Sequence, residues 1–314
     1  MENQPPVVKQ SILDEVLYGL HQPQKQLSSK FFYDERGSEL FEKITGLKEY
    51  YPTRTEMMIL KNNLGEISDL IGPKAMLIEL GSGSSTKIRL LLKSLPELAA
   101  YVPVDISQSY LRKAARQLQT DFPDLFIKPV YADYTKHFSL PPIDADYKRE
   151  LVFYPGSTIG NFHPDKAREF LKTIASLTEK DAAMLIGVDL KKDKQVLEAA
   201  YNDAKGITAA FNKNILLRLN REIGADFDVD SFRHRAFYNE GEGRIEMHLF
   251  SKKEQEVQIG DESFHFTEGE SIHTENSYKY SLDDFKKLVS EWFSVGKVWT
   301  DEKGWFSLQY LIKK

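Results

Sequence analysis

The chain has 314 residues, 41 % of them hydrophobic and 28 % charged, a balance that fits a folded globular protein and excludes a disordered one. Asp and Glu (47) outnumber Lys and Arg (42), and the net charge of -5 argues against a nucleic-acid backbone as partner. Because cysteine is absent, disulfides, thiolate metal sites and a cysteine nucleophile are excluded from this chain.

In chain order, Ile12, Leu13, Val16, Leu17 and Leu20 recur at helical spacing, and Leu40, Phe41, Ile44 and Leu47 repeat the pattern. A third helix over 53–71 is predicted to open on Thr53 behind Pro52, with Glu56 at capping-box spacing and Leu60, Leu64, Ile67 and Ile71 as its apolar stripe. From Ala75 short apolar runs alternate with amphipathic stretches: AMLIEL, SSTKIRLLLKSL, AYVPVD, SQSYLRKAARQLQ and FIKPVY, then ELVFY, HPDKAREFLKTIASLTE and AAMLIGVD. Continuously apolar strands separated by helices predict a parallel sheet covered on both faces, a doubly wound α/β domain.

After Asp189 the alternation stops. A helical region over about 193–222 precedes polar–apolar strands such as GRIEMHLF beside a turn-like NEGEGR, which predicts inserted material with a smaller sheet of its own. The helix SLDDFKKLVSEWF then leads to GKVWT and WFSLQYLI, joined by DEKG, a hairpin that closes the main sheet. At roughly 150 residues per domain, two domains are expected. They are residues 57–190 with 282–314 as the sheet domain, and 1–56 with 191–281 as an α+β lobe. No stretch reaches the roughly 18 apolar residues of a membrane span, and MENQPPVVKQ lacks the basic and apolar regions of a signal peptide, so a cytoplasmic protein without membrane contact is expected.

The most specific local signal is ELGSGSSTK, where the first strand meets the following helix. Gly81 and Gly83 allow a tight turn and close approach of a ligand, but the third glycine of the dinucleotide fingerprint is missing and the phosphate-loop pattern does not fit. An adenosine ligand without a phosphate is left. The second strand ends in Asp105, placed either to bind both ribose hydroxyls or to cap the helix starting near Ser107. The third ends in Asp133-Tyr134, where an acid can accept from an adenine amino group and a ring can stack on it. Three such strand ends in order form the binding pattern of a class I methyltransferase, with S-adenosylmethionine as methyl donor.

Four longer segments carry a closer likeness. FFYDERGSELFEKITGLKEYYPTRTE, LIELGSGSSTKIRLLL, FYPGSTIGNF and IHTENSYKY resemble the histidine-specific Nα-methyltransferases, which make hercynine in ergothioneine biosynthesis; the likeness runs from about residue 28 to 312. The resemblance implies a class I methyltransferase Rossmann-like sheet with a substrate-binding lobe. It implies that Tyr33, Gly81, Lys87, Asp105, Asp133 and the backbone at Tyr134 hold S-adenosylmethionine, which leaves as S-adenosylhomocysteine. It further implies that Tyr50, Gly156, Asn161, Tyr201, Thr208, Met247, Glu275 and Ser277 hold L-histidine, with Tyr50 and Asn161 closest to the reaction. No metal and no nucleic-acid partner are implied, and a monomer is expected.

Each position also has a plain structural reading. Asn161 can accept from the reacting amine or cap the helix of FHPDK. Tyr50 and Tyr201 can meet a carboxylate or belong to the core. Glu275 and Ser277, two apart in a strand, can complement the two ring nitrogens of an imidazole or form a polar strand face. Met247 can flank a ring or fill the core, and Lys87 can serve the donor or stand in solvent. A larger apolar pocket in place of Glu275 and Met247 would favour the alternative, an N-methyltransferase of the same architecture acting on tryptophan or a prenylated tryptophan. A third reading is a nonenzymatic adenosylmethionine-binding protein.

Overall fold

The computed structural model describes residues 6–82, 85–95, 97–136 and 138–314; Gly83 and the first five residues of the N-terminal segment lie outside the described residues. Two units are formed, residues 1–50 with Asp193–Ser277 (unit 1) and Tyr51–Lys192 with Tyr278–Lys314 (unit 2).

Unit 1 begins with α1 (Pro6–Leu20) and α2 (Glu35–Thr45). Asp34 caps α2 by accepting from the Gly37 N–H, and the helix turns Leu40 and Ile44 inward. In unit 2 the helix expected over 53–71 is two helices, α3 (Tyr51–Asn62) and α4 (Leu64–Ile71). Pro52 stands in the first turn of α3, where its missing N–H costs nothing, so the helix opens two residues before Thr53. Asn63 breaks it at φ -121° and ψ 14° while its Nδ2 donates to the Ile59 carbonyl. The expected capping box does not form, because Glu56 is buried and its carboxylate is bound elsewhere in unit 2. That binding, with Tyr51 bonded to Asp189, keeps 51–56 with the sheet, six residues before the sheet domain was expected to begin.

The alternating region forms β1 (Ala75–Leu80), α5 (Ser85–Ser94), β2 (Ala100–Asp105), α6 (Gln108–Asp121), β3 (Phe126–Ile127), β4 (Val130–Tyr131), β5 (Arg149–Tyr154), α7 (Pro164–Leu177) and β6 (Ala183–Asp189). FIKPVY is therefore two short edge strands rather than one, since Pro129 has no N–H to continue the ladder. The inserted segment supplies α8 (Lys194–Tyr201), α9 (Ile207–Ile223), β7 (Phe232–Asn239), β8 (Arg244–Ser251), β9 (Gln255–Ile259), β10 (Glu262–Phe266) and β11 (Ser271–Tyr278). The chain ends with α10 (Leu282–Val289), β12 (Phe293–Thr300) and β13 (Phe306–Lys313). α10 is shorter than SLDDFKKLVSEWF because Phe293 already belongs to β12.

Unit 2 holds an eight-stranded sheet in the order β12-β13-β6-β5-β1-β2-β3, with β4 also paired to β2. β1, β2, β5 and β6 run parallel, with Ile78 opposite Val102 and Val152, while β13 joins β6 antiparallel with Leu308 opposite Gly187. Burial of alternate residues of β1 on opposite faces explains its run of apolar residues, interrupted only at Glu79. Met76, Ile78 and Leu80 share a core with Phe170 and Ile174 of α7 and Phe285 of α10, and Leu77 shares another with Ile59, Ile67 and Leu91 of α3, α4 and α5. Fully burying each such side chain stabilises by roughly 1.5–3 kcal/mol.

In unit 1 the insert forms two sheets, β11-β8-β7 and the hairpin β9-β10. NEGEGR is the β7–β8 turn, with Gly243 at φ +68°, a conformation that suits glycine. Among the described residues no helix is long and apolar enough to cross a membrane.

Candidate active site

The parallel strands of unit 2 present their carboxyl ends along one sheet edge. The chain leaves β1 towards β2 on one side and returns to β5 on the other, the topology that opens a ligand crevice at the end of β1. Gly81 stands there at φ +74°, its N–H donating to the Val104 carbonyl, and a Cβ on it would come within 3.4 Å of the Tyr134 hydroxyl. The adjoining Ser82 hydroxyl is buried with no hydrogen-bond partner among the described residues.

Asp105 ends β2, and its Oδ1 accepts from the Ser107 N–H at 2.8 Å. Burial raises its pKa, opposed by the N–H groups of Ser107 and Ile106. α6 begins at Gln108 with Ser107 as its N-cap, so Asp105 holds the turn before that helix. Beyond β4, Asp133 accepts from the Thr135 N–H and hydroxyl, and the Tyr134 ring meets Tyr154 edge-on at 5.8 Å. Burial pushes the Tyr134 phenol well up, with the charges of Asp105 and Asp133 adding to it. A glycine without a Cβ, an orphaned hydroxyl and an acid at the strand tip give one edge the means to admit an adenosyl group.

Lys87 of α5 is not a solvated charge. It is buried and paired with Glu56, whose two carboxylate oxygens also accept from the Gly156 N–H at 3.0 Å each. Gly156 follows β5 at φ +79°. A Cβ on Gly187 of β6 would come within 2.0 Å of Glu56 Oε1, so this pair depends on a glycine in the neighbouring strand. Glu79, also buried, accepts from the Tyr101 hydroxyl, and burial pushes its carboxyl up to about 8. Asn161 ends a 3-10 turn, Thr158–Asn161, and α7 takes His163 as N-cap, so the capping alternative for Asn161 falls away. Its side chain is half-buried and makes no hydrogen bond among the described residues.

Unit 1 brings another set together. Tyr33, which closes a 3-10 turn after Ser28, lies edge-on to Phe41 of α2 and Phe211 of α9. Phe41 meets Tyr50 at 6.2 Å, and Tyr50 meets Tyr201 of α8 at 6.2 Å. The Tyr201 hydroxyl donates to Ser277 Oγ at 2.8 Å. Glu275, half-buried, stands two residues before Ser277 on β11. Thr208 is buried in the first turn of α9, its N–H donating to Asp203 at 2.7 Å, and Met247 is buried on β8. Tyr33 thus belongs to unit 1 while the other donor candidates belong to unit 2, and of the histidine candidates Gly156 and Asn161 belong to unit 2.

Sequence reasoning missed Glu56 as a partner, since its spacing from Thr53 read as a local cap. It also missed a cluster on the unit 1 sheet. His248 bonds Glu246 at 3.0 Å and Ser271 at 3.0 Å, its ring stacks on His273 at 4.6 Å, and His273 bonds the Glu275 carbonyl at 3.0 Å. Glu246, His248 and His273 bring possible metal-ligand atoms within 4.8 Å of one another. The two rings lie 5° from parallel, so their in-plane lone pairs run side by side rather than converging on one ion.

Burial, with His248 beside it, pulls His273 down from 6.5 to about 4. Between these values the unfolded chain binds a proton that the folded chain does not, so stability falls as pH drops from 6.5 to about 4. Glu246, which hydrogen bonds from His248, Asn239 and Arg244 hold at about 2 against burial, adds its loss only as pH falls below 4.5. The thermal midpoint is expected to fall across the upper window, and less steeply in His273→Gln. Equal slopes for the two proteins would contradict this origin.

Over residues 12–313 the chain matches the family described as histidine-specific methyltransferase, SAM-dependent. It is 40 % identical over 308 residues to histidine N-alpha-methyltransferase of Mycolicibacterium smegmatis, covering 95 % of this chain and 94 % of that one. It is 31 % identical over 303 residues to ergothioneine biosynthesis protein 1 of Neurospora crassa, covering 85 % of this chain and 32 % of the relative. With 4-dimethylallyltryptophan N-methyltransferase of Aspergillus fumigatus the identity is 25 % over 313 residues, covering 93 % of this chain and 91 % of that one.

Proposed function

The chain belongs to the histidine-specific, S-adenosylmethionine-dependent methyltransferases, and from that premise we propose that it trimethylates the α-amino group of L-histidine to hercynine, opening ergothioneine biosynthesis. The observation that carries this reading is the family match over residues 12–313, supported by 40 % identity to a histidine N-alpha-methyltransferase over nearly the whole of both chains.

S-adenosylmethionine supplies an activated methyl group on a sulfonium. The chain's own residues orient the acceptor, since an in-line displacement needs near-attack geometry and no covalent nucleophile. In unit 2 the Gly81 turn and the Ser82 hydroxyl admit the donor, Asp105 binds its ribose, and Asp133 and Tyr134 meet its adenine. Lys87, held by Glu56, and Tyr33 of unit 1 complete the donor residues. Asn161, whose side-chain amide makes no hydrogen bond among the described residues, accepts from the histidine amine and aims its lone pair.

In unit 1 Tyr50 serves the substrate carboxylate and Thr208 and Met247 line the pocket. Tyr201 donates to Ser277 Oγ, and Ser277 and Glu275 meet the two imidazole nitrogens, the carboxylate accepting from the ring N–H. Tyr201 thereby orients Ser277. Aromatic rings beside the trimethylated product stabilise its cation by roughly 0.5–2 kcal/mol. The protein works without a metal in this reading, as a monomer in the cytoplasm.

The test is incubation with S-adenosylmethionine and L-histidine, followed by proton NMR of the product. A single new trimethylammonium resonance with unchanged imidazole protons is expected. Methylation on a ring nitrogen, or none at all, would overturn the proposal.

A further inference from the structure

One buried aspartate holds, through its carboxylate or its backbone N–H, residues within two positions of three residues of the proposed histidine site. Asp189, the last residue of β6, is 1 % exposed. Its carboxylate accepts from the Tyr51 hydroxyl (2.7 Å), Lys192 Nζ (2.6 Å) and Lys279 Nζ (2.8 Å). Its backbone N–H donates to Ser157 Oγ at 2.8 Å, and its carbonyl accepts from the Tyr280 N–H at 3.2 Å. Lys192 also donates to the Tyr51 hydroxyl at 2.8 Å and lies 4.6 Å from the centre of that ring.

Tyr51 directly follows Tyr50, Ser157 directly follows Gly156, and Lys279 stands two residues after Ser277. Ser157 is held at φ +58°, a left-handed backbone that a residue with a Cβ keeps only where its surroundings over-determine it. Tyr51, Lys192 and Tyr278 are also the unit 2 residues at which the chain passes to or from unit 1. Two of these bond Asp189 and the third precedes Lys279, so every crossing is rooted beside the same side chain. Lys279 and Lys192 hold Asp189 ionised below the usual carboxylate range despite its burial. A satisfied ionic network in a low-dielectric interior has few alternative arrangements, which is what fixes the backbone around it.

We propose that Asp189 is a positioning residue for histidine: through Tyr51, Ser157 and Lys279 it sets the backbone that carries Tyr50, Gly156 and Ser277. The inference rests on the histidine reading of those three residues. The donor residues Gly81, Asp105 and Asp133 are not chain neighbours of any group on Asp189, and Lys87 is reached only through Glu56 and Gly156, so the larger effect falls on the amino acid.

Calorimetric titration of the full chain tests it, with L-histidine and with S-adenosylhomocysteine as the two probes. In Asp189→Asn the Kd for histidine is expected to rise about tenfold or more and that for S-adenosylhomocysteine by less than about threefold. A merely structural residue would weaken both alike or neither, and either result overturns the inference. Wild-type protein titrated first separates the two claims: absence of histidine binding there overturns the functional reading and this inference with it. Unchanged histidine binding in the variant overturns the inference alone. Should Asp189→Asn not fold, Tyr51→Phe decides, since it removes one hydroxyl and keeps the ring. Its Kd for histidine is expected to rise roughly three- to tenfold with donor binding unchanged, and no change in histidine affinity overturns the inference.

Discussion

Replacing Glu56 by alanine is expected to destabilise the protein by about 3–5 kcal/mol, the cost of leaving a buried cation without its partner. Glu56 is 1 % exposed, binds buried Lys87 and accepts from the Gly156 N–H, so the change orphans an ammonium and a backbone donor together. Glu56→Gln keeps an acceptor for Gly156 but no charge for Lys87, and its loss is expected to lie between wild type and alanine. Urea denaturation read by circular dichroism measures both. A loss below about 1 kcal/mol for alanine would place the pair among exposed ion pairs of little worth.

Glu275→Ala carries the second large effect, on affinity. A carboxylate accepting from the imidazole N–H is worth roughly 1.5–3 kcal/mol, so histidine binding is expected to weaken by about one to two orders of magnitude. Donor binding should change by less than about threefold, because Glu275 is assigned to the imidazole and not to the donor. Equal losses for both ligands would remove Glu275 from imidazole recognition.

The elements most legible in the sequence are those whose pattern is local. AMLIEL and AYVPVD coincide with β1 and β2 because a strand buried on both faces is apolar along most of its length, and each has five apolar residues in six between glycine-rich and polar turns. Failures came where long-range contacts overrode local spacing. Thr53 and Glu56 have the capping-box interval, yet Glu56 is taken by Gly156, 100 positions away, and by Lys87, 31 positions away. Pro129 divides an apolar run that periodicity alone joins.

The strand-end turns were legible where glycine or acid falls there, as at Gly81 and Asp105, while Gly156 was reached only through the family resemblance. The support of the site was not legible. Asp189 reads as the polar end of a strand, and nothing in the sequence relates it to Tyr51, Lys192 or Lys279, 138 and 3 positions away for the first two by hydrogen bond. Lys87 shows the same limit, because a lysine on the first turn of a helix reads as solvated until Glu56 is seen beside it. The ring contacts that link Tyr33 and Tyr50 through Phe41, and Tyr50 to Tyr201, could not be read among 15 tyrosines by composition.

Histidine is the amino acid this protein is proposed to methylate. The most direct measurement offers the protein an equimolar mixture of the common amino acids with limiting S-adenosylmethionine and weighs the methylated products by mass spectrometry. Histidine carrying up to three methyl groups, with tryptophan unmodified, is the predicted result; methylated tryptophan with histidine untouched would contradict it.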